Sequence, residues 1–298
     1  WWAVARGVAP LRQLGRLLAE RQPQAVHPLV LADAPSEMTP MLDALNGLFE
    51  RIAALMETER RFTADAAHEL RTPLAAIRAQ AQVALGESDD ARRRHALQAT
   101  LAGCDRTARL VDQLLTLSRL EAGAGGTLAS VDLRALVRRV VAEVAPQAFG
   151  RQQTIAVDAA GPCAVQGNEA LLAVLVRNLV DNACRYSPPG ALVNVTVAQH
   201  AAHAQLKVED SGPGLSEADM QRLGERFFRV IGSGEEGSGL GWSIVRRIAA
   251  VHQATLRVGR SPALGGLAVE IEWPARLQKS LQADSKSAEE GGLSHPPD

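Results

Sequence analysis

The sequence predicts a multidomain chain, an all-α N-terminal half followed by an α+β sandwich, and three observations carry that prediction. Apolar residues recur at helical spacing from about residue 10 to residue 122. A small-residue stretch, Ala122-Gly123-Ala124-Gly125-Gly126, then interrupts the pattern and reads as a flexible hinge. From Val131 onward, alternation with a period of two mixes with further helical stripes.

Taken in order, Leu11, Leu14 and Leu18 form one stripe of a helix over residues 10–20, with Pro10 at its start. A proline-containing extended stretch from Gln22 to Pro40 follows. The next helix begins near Met41, and Met41, Leu45, Leu48, Ile52 and Leu55 step by four, three, four and three, the spacing of a coiled-coil seam. No stop separates this helix from Leu74, Ile77, Ala81 and Ala84, so it is expected to run to Gly86. A rod of that length fits conformational transmission; an ordinary amphipathic helix on a globular core has the same spacings. Gly86-Glu87-Ser88-Asp89-Asp90 is a turn, and Leu97, Leu101, Leu110, Leu114 and Leu117 mark a helix over 91–122. The two helices make a hairpin with a broad uncovered apolar face. Pairing two hairpins into a four-helix bundle is the simplest burial, so a homodimer is expected.

In the second half, Val193, Val195 and Val197, then Leu206 and Val208, then Val269, Ile271 and Trp273 mark half-buried strands of an antiparallel or mixed sheet. Helices near 134–145, 168–186 and 239–252 would cover one face. Residues 276–298, rich in Ser, Lys, Glu, Gly and Pro, lack periodicity and are expected to be disordered.

Composition removes several function classes. The 298 residues are 46% hydrophobic, enough for more than one core. With 32 basic and 33 acidic side chains the net charge is −1, which gives no field to attract nucleic acid. Cys104, Cys163 and Cys184 are far apart and lack metal-ligand spacing, which fits a reducing compartment without a structural metal. No stretch approaches the roughly 20 apolar residues that span a bilayer. The opening Trp1-Trp2 followed by Arg6 nevertheless resembles the cytoplasmic edge of a membrane helix. The chain is therefore expected to be the cytoplasmic part of an inner-membrane protein.

Four segments carry chemistry. On the rod, His68 points away from Leu74 and Ile77, which would face a core, so its imidazole is presented to solvent. Glu69 beside it is a candidate proton acceptor, Thr72 lies one turn on, and Pro73 leaves the Glu69 carbonyl without its helical donor. In the helix over 168–186, Leu172, Val176, Leu179 and Ala183 form the buried stripe, while Arg177 and Asp181 fall outward. Asn178 and Asn182, one turn apart at the border, have amide oxygens suited to a hard cation that bridges phosphates, and Arg185 and Tyr186 extend that edge. Asp210-Ser211-Gly212-Pro213-Gly214 follows a strand: the carboxylate can accept from an exocyclic amine, and the glycines let a flat ring approach the backbone. Gly237-Ser238-Gly239-Leu240-Gly241 opens a helix whose first N–H groups favour phosphate oxygens; no G-K-[ST] follows, so it is not a P-loop.

In order, H-E-L-R-T-P-L, N-L-V-D-N-A-C-R-Y, D-S-G-P-G-L, E-R-F-F-R and G-S-G-L-G-W resemble the H, N, G1, F and G2 boxes of the sensor histidine kinases of two-component systems. The resemblance covers about residues 5 to 275. It implies a HAMP-like module over 1–57 with Pro10 in the family's place, a dimerisation and phosphotransfer hairpin over 58–122, and a catalytic ATP-binding domain over 127–275. It also implies autophosphorylation from ATP with Mg²⁺, then transfer to the receiver domain of a response regulator.

Carried over residue by residue, the resemblance makes His68 the phosphoacceptor, Glu69 its general base and Thr72 the residue that positions water for dephosphorylating the partner. Asn182 would ligate Mg²⁺ with Asn178 nearby, Arg185 would reach phosphates, and Tyr186 would cover the adenine. Asp210 would read the adenine amine in a pocket shaped by Gly212 and Gly214. Phe227, Phe228 and Arg229 would begin a mobile lid, and Gly237, Gly239, Leu240 and Gly241 would meet the triphosphate. Trp242 departs from the family's small or aliphatic residue and bears on lid packing. Two rivals share the fold: an ATPase that hydrolyses with water, which needs Glu where Asn178 stands, and a non-catalytic ATP-binding scaffold.

Overall fold

The computed structural model describes residues 2–20, 25, 27–31, 35–121, 126–201, 203–229 and 238–274. The expected hinge over 122–125, Gly237 and the tail over 276–298 lie outside the described residues. The chain divides into two compact units, Trp1–Ala75 and Ala76–Asp298.

The first unit holds α1 (Trp2–Ala19), a short 3₁₀ turn (Ser36–Met38) and most of α2 (Thr39–Gly86). The first helix starts eight residues earlier than expected. Pro10 lies inside it rather than opening it, at the cost of one backbone hydrogen bond. Leu14, Leu29, Met38 and Leu42 form a small core, with Leu31, Leu45 and Phe49 packed on it. The extended connector is tied to α2 by a two-way bond: Leu29 N–H donates to Asn46 Oδ1 at 2.6 Å and Asn46 Nδ2 donates to the Leu29 carbonyl at 3.1 Å. The amide thus does for the connector what a neighbouring strand would do. Of the seam read as Met41, Leu45, Leu48, Ile52 and Leu55, Leu45 packs on this core while Met41 and Leu48 are exposed. Leu55 is 69% exposed, because the connector packs on the Met38–Leu42–Leu45–Phe49 side instead.

The second unit begins with the end of α2 and continues into α3 (Asp90–Glu121). Asp89 opens α3 by accepting from Arg92 N–H at 2.8 Å. Gly103 lets Ile77 press against α3, since a Cβ there would lie 2.7 Å from Ile77 Cγ1.

The α+β part follows: β1 (Ala129–Asp132), α4 (Leu133–Gly150), β2 (Thr154–Asp158), β3 (Ala164–Gly167), α5 (Glu169–Tyr186), β4 (Leu192–Gln199), β5 (His203–Asp210), α6 (Glu217–Arg222), α7 (Gly241–Val251), β6 (Thr255–Arg260) and β7 (Leu267–Pro274). The main sheet runs β2-β4-β5-β7-β6, and β1 pairs with β3 separately. It is mixed: β2 lies parallel to β4 and the other pairs are antiparallel. A row of valines, Val157, Val195, Val208, Val269 and Val258, crosses all five strands in register. Such cross-strand β-branched contacts fix the pleat. One face of β4 and β5 carries Val193, Val195, Val197, Leu206 and Val208, all buried, while Asn194, Thr196, Gln205 and Lys207 on the other stay half-buried. Four strands, β1, β2, β3 and β6, and the short α6 are not among the expected elements, because each is only four to six residues long. The expected 134–145 helix continues through Pro146 to Gly150, since Val144 and Ala148 are buried and outweigh the lost bond.

Candidate active site

On α2, His68 and Thr72 are exposed and Glu69 is half-buried. Thr72 Oγ1 donates back to the His68 carbonyl at 3.4 Å, and Pro73 sits inside the helix. Leu74, expected to face a core, is 54% exposed, because nothing among the described residues of its own compact unit covers that side of the helix.

In the α+β part, a cavity of about 780 Å³ opens between α5, the ends of β5 and β7, and the start of α7. It gathers eight of the residues named from the sequence: Asn182, Arg185, Tyr186, Asp210, Gly212, Gly214, Phe228 and Arg229. Its apolar wall includes Leu179, Val208 and Val269, a lining suited to a flat ring.

Asp210 ends β5 and is buried. Its Oδ1 accepts from Gly212 N–H at 2.9 Å and Leu267 N–H at 3.2 Å, so both backbone bonds fall on one oxygen and leave the other uncommitted to the backbone. Burial pushes its carboxyl above the usual carboxylate range, and the two N–H groups pull partly the other way. Gly266 closes the floor. A Cβ there would overlap the Asp210 carbonyl oxygen and Oδ1, and would lie 2.7 Å from Gly212 N. Gly214, at φ +72°, packs its backbone against Gly266.

At the other end, α4, α5 and α6 are capped by the side chains of Asp132, Asn168 and Ser216, whereas the N-cap of α7 is Leu240, which offers no side-chain acceptor. The N–H groups at that start favour an anion, although Ser238 Oγ accepts the Leu240 N–H at 3.2 Å. Leu240 itself is fully buried and anchors the core, and Asn178, Gly239, Leu240 and Gly241 adjoin the cavity without being among the residues that line it. Gly241 lies against both amides: a Cβ would come within 2.9 Å of Asn178 Oδ1 and 3.5 Å of Asn182 Nδ2. Asn178 Nδ2 donates to the Val174 carbonyl at 2.8 Å, while Asn182 Nδ2 is buried with no hydrogen-bond partner among the described residues. A buried orphan amide in a cavity wall is costly unless a ligand satisfies it. Gly239, at φ +69°, brings its backbone onto Phe227, whose own φ is +59°. Phe227 lines an adjoining depression rather than the cavity, and Arg222 stacks over Phe228 at 4.2 Å.

One charge differs from expectation. Asp181 is half-buried rather than outward, and burial raises its carboxyl, opposed by Arg177, Arg185 and Arg109. Burial and the neighbouring Asp181 push the Cys184 thiol up to about 11, which keeps it protonated and unreactive. Sequence reasoning missed Arg151 and Ser187 to Pro189, which line the cavity, and Gly266, which shapes it. The dipeptide Gly265-Gly266 just before an alternating strand was a usable signal for the last.

Comparison with known proteins agrees with this layout. The family model "His Kinase A (phospho-acceptor) domain" matches residues 58–123, and "Histidine kinase-, DNA gyrase B-, and HSP90-like ATPase" matches residues 167–277. Sensor protein BasS of Escherichia coli (strain K12) is 37% identical over 256 residues, 84% of this chain and 68% of that protein. The chain belongs to the sensor histidine kinases of two-component systems. Sensor protein QseC of Salmonella typhi is 43% identical over 272 residues, 90% of this histidine kinase chain and 59% of the relative, so the chain spans about three-fifths of that protein's length. The structure of Acinetobacter baumannii histidine kinase AdeS, 23% identical with a TM-score of 0.56, covers 70% of this chain and 98% of that one and shares the fold. The kinase's α+β part is thus the ATP-binding domain of the family, and the helical part includes its phosphoacceptor hairpin. Among the described residues no helix is long and apolar enough to cross a membrane.

Proposed function

We propose that the chain autophosphorylates on His68 from ATP held in the 780 Å³ cavity, then passes the phosphoryl group to an aspartate of a response regulator receiver domain. The observation that carries the reading is the pairing, in one chain, of an exposed helical histidine with a cavity whose two ends suit two halves of a nucleotide. Asp210 offers an adenine amine a carboxylate oxygen that no backbone N–H takes, and the start of α7 beside the orphan Asn182 amide suits phosphates.

In this reading a ring nitrogen of neutral His68 attacks the γ-phosphorus in line. The bond from that phosphorus to the β-phosphate oxygen breaks, ADP leaves, and the ring proton passes to Glu69. Asn182, through its side-chain oxygen, and Asn178 behind it are the residues that would hold Mg²⁺, which when bound offsets phosphate charge. Arg185 sits in the wall where it can meet phosphates, Tyr186 and the apolar wall flank the ring, and Phe228 and Arg229 form the side nearest the glycine loop. Thr72 positions water for the reverse task, dephosphorylating the regulator.

The exposed leucines of α2 and α3 support a homodimer in which two hairpins form a four-helix bundle. Residues 1–57 form a HAMP-like module whose small core couples the connector to the rod. The longer relatives are sensor proteins, and the reading makes this chain the cytoplasmic portion of a membrane-anchored one.

Incubation with Mg-ATP labelled on the γ-phosphate tests the reading. An acid-labile, base-stable label on the protein, reduced to background in His68→Gln, is the expected result. Free phosphate without protein label would support the ATPase rival, which the Asn178 amide, bonded to Val174, is ill-suited to serve as a base. Neither signal would leave the scaffold reading.

A further inference from the structure

Three polar contacts join α3 to the ATP-binding domain, just before α7, on α7 and at Arg226. Ser238 Oγ donates to Gln113 Oε1 on α3 at 2.8 Å. Arg247 of α7 donates from Nε and Nη2 to the Leu120 carbonyl at 3.3 and 3.1 Å, and Arg226 pairs with Glu121. On α3, Leu117 and Leu120 are buried beside these contacts.

The first contact differs from the other two in what lies behind it. The same Ser238 Oγ accepts the Leu240 N–H at 3.2 Å. A hydroxyl has one proton to give and lone pairs to receive with. Here the proton goes to Gln113 and the lone pair takes the N–H at the N-cap of α7. The serine oxygen therefore stands where an oxygen acceptor from outside would otherwise bind, and its orientation is set from α3. Gln113 supplies that orientation through an amide oxygen alone, on a helix that contributes no residue to the cavity lining.

We propose that Gln113 is a positioning residue for the nucleotide: by holding Ser238 across the Leu240 N–H, it makes docking of α3 and binding of a nucleotide's phosphates compete for one donor. Phosphates that take the Leu240 N–H turn Ser238 away and release this link to α3. By linkage, the link lowers affinity for a triphosphate by the same factor that the triphosphate weakens the link. The proposal rests on the reading of the cavity as the ATP site. It predicts an effect confined to ligands that carry phosphates, because the adenine end at Asp210 is held by β5 and β7 and not by α3.

The test is equilibrium binding of a non-hydrolysable Mg-ATP analogue and of adenosine to the full chain, in wild type, Gln113→Ala, Ser238→Ala and the double variant. Gln113→Ala is expected to bind the analogue roughly threefold to tenfold tighter, the range one net hydrogen bond can carry. Adenosine affinity should stay unchanged. Ser238→Ala should give a similar gain, and the double variant no further gain, since both remove the same link. Unchanged analogue affinity in Gln113→Ala, an equal shift for adenosine, or additive gains would each overturn the proposal. If wild type binds neither ligand, the failure lies with the ATP-site reading itself; analogue binding that ignores Gln113 removes only the link.

Discussion

Leu172, Leu175, Val193 and Ile271 of the ATP-binding domain expose nothing, whereas Leu85 and Leu101 of the helical hairpin are 88% and 66% exposed. Leu85 and Leu101 carry the same kind of side chain at the same kind of helical spacing as Leu172 and Leu175, so intrinsic preference does not separate the regions. Partner availability does. Within the ATP-binding domain, α4, α5 and α7 find a five-stranded sheet in the same chain. Among the described residues the hairpin buries Leu110, Leu117 and Leu120 of α3, but Leu85 and Leu101 find no such layer and await a surface from elsewhere. The sites differ in the same way. Asp210 and Asn182 sit in a cavity already shaped by Gly212, Gly214 and Gly266, while His68 stands bare on a helix. A self-sufficient core can hold a binding site in advance; a helix without one can present a reactive group that must be approached.

The comparison can be broken first at Gly266. Alanine there would force Asp210 and Gly212 apart, with a cost of about 1–3 kcal/mol for overpacking. Loss of measurable nucleotide binding together with a lower thermal midpoint is expected, and an unchanged binding isotherm would show that the floor is not preformed.

Asp210→Asn should be gentler on the fold and severe on the ligand. Asparagine keeps an oxygen for the Gly212 and Leu267 N–H groups but loses the charged acceptor, which is worth roughly tenfold to a hundredfold in affinity. The sign of the pH effect follows from the raised carboxyl of Asp210. Its burial costs nothing below the unfolded value, and stability is lost as pH rises through the folded one. Calorimetry should therefore find nucleotide-free Asp210→Asn at least as stable as wild type near neutral pH. In wild type, nucleotide affinity should fall as pH drops through a midpoint above the ordinary carboxylate value.

On the other side of the comparison, Leu101→Ala should leave the thermal transition of the ATP-binding domain in place, because the side chain touches none of its core. It should weaken self-association about tenfold, the worth of a partly buried leucine at a dimer seam. Sedimentation of the full chain measures this, and unaltered dimerisation would move the interface to another face.

The smallest effect belongs to His252, which is 1% exposed, with Nδ1 at 2.8 Å from the Ile248 carbonyl and Nε2 accepting the Asn168 N–H at 3.0 Å. Burial holds its imidazole below the usual histidine range. A depressed folded value means stability present above the ordinary value and lost as pH falls through the folded one. Wild type should lose a few degrees of thermal midpoint on acidification, and His252→Gln should show a flatter pH profile; equal slopes would show that other groups carry the acid sensitivity.

Much of this was determined by the sequence. The rod to Gly86, the hairpin partner, the stripe of α5 and the strands carrying Val195, Val208 and Val269 follow from periodicity alone, because each long element shows one face to a core. The chemistry-bearing residues were also legible, since Asp210, Asn182 and the glycine loop stand in motifs whose spacing is local. Tertiary structure decided what depends on distant neighbours. It carried α1 through Pro10 and α4 through Pro146, drew Asp181 inward among three arginines, and set Gly266 against Asp210 across 56 residues of chain. It also joined Gln113, which no motif singled out, to Ser238 of the glycine loop 125 positions on. Local spacing fixes which face a side chain takes on its own helix or strand, but which foreign atom meets that face depends on how the elements pack.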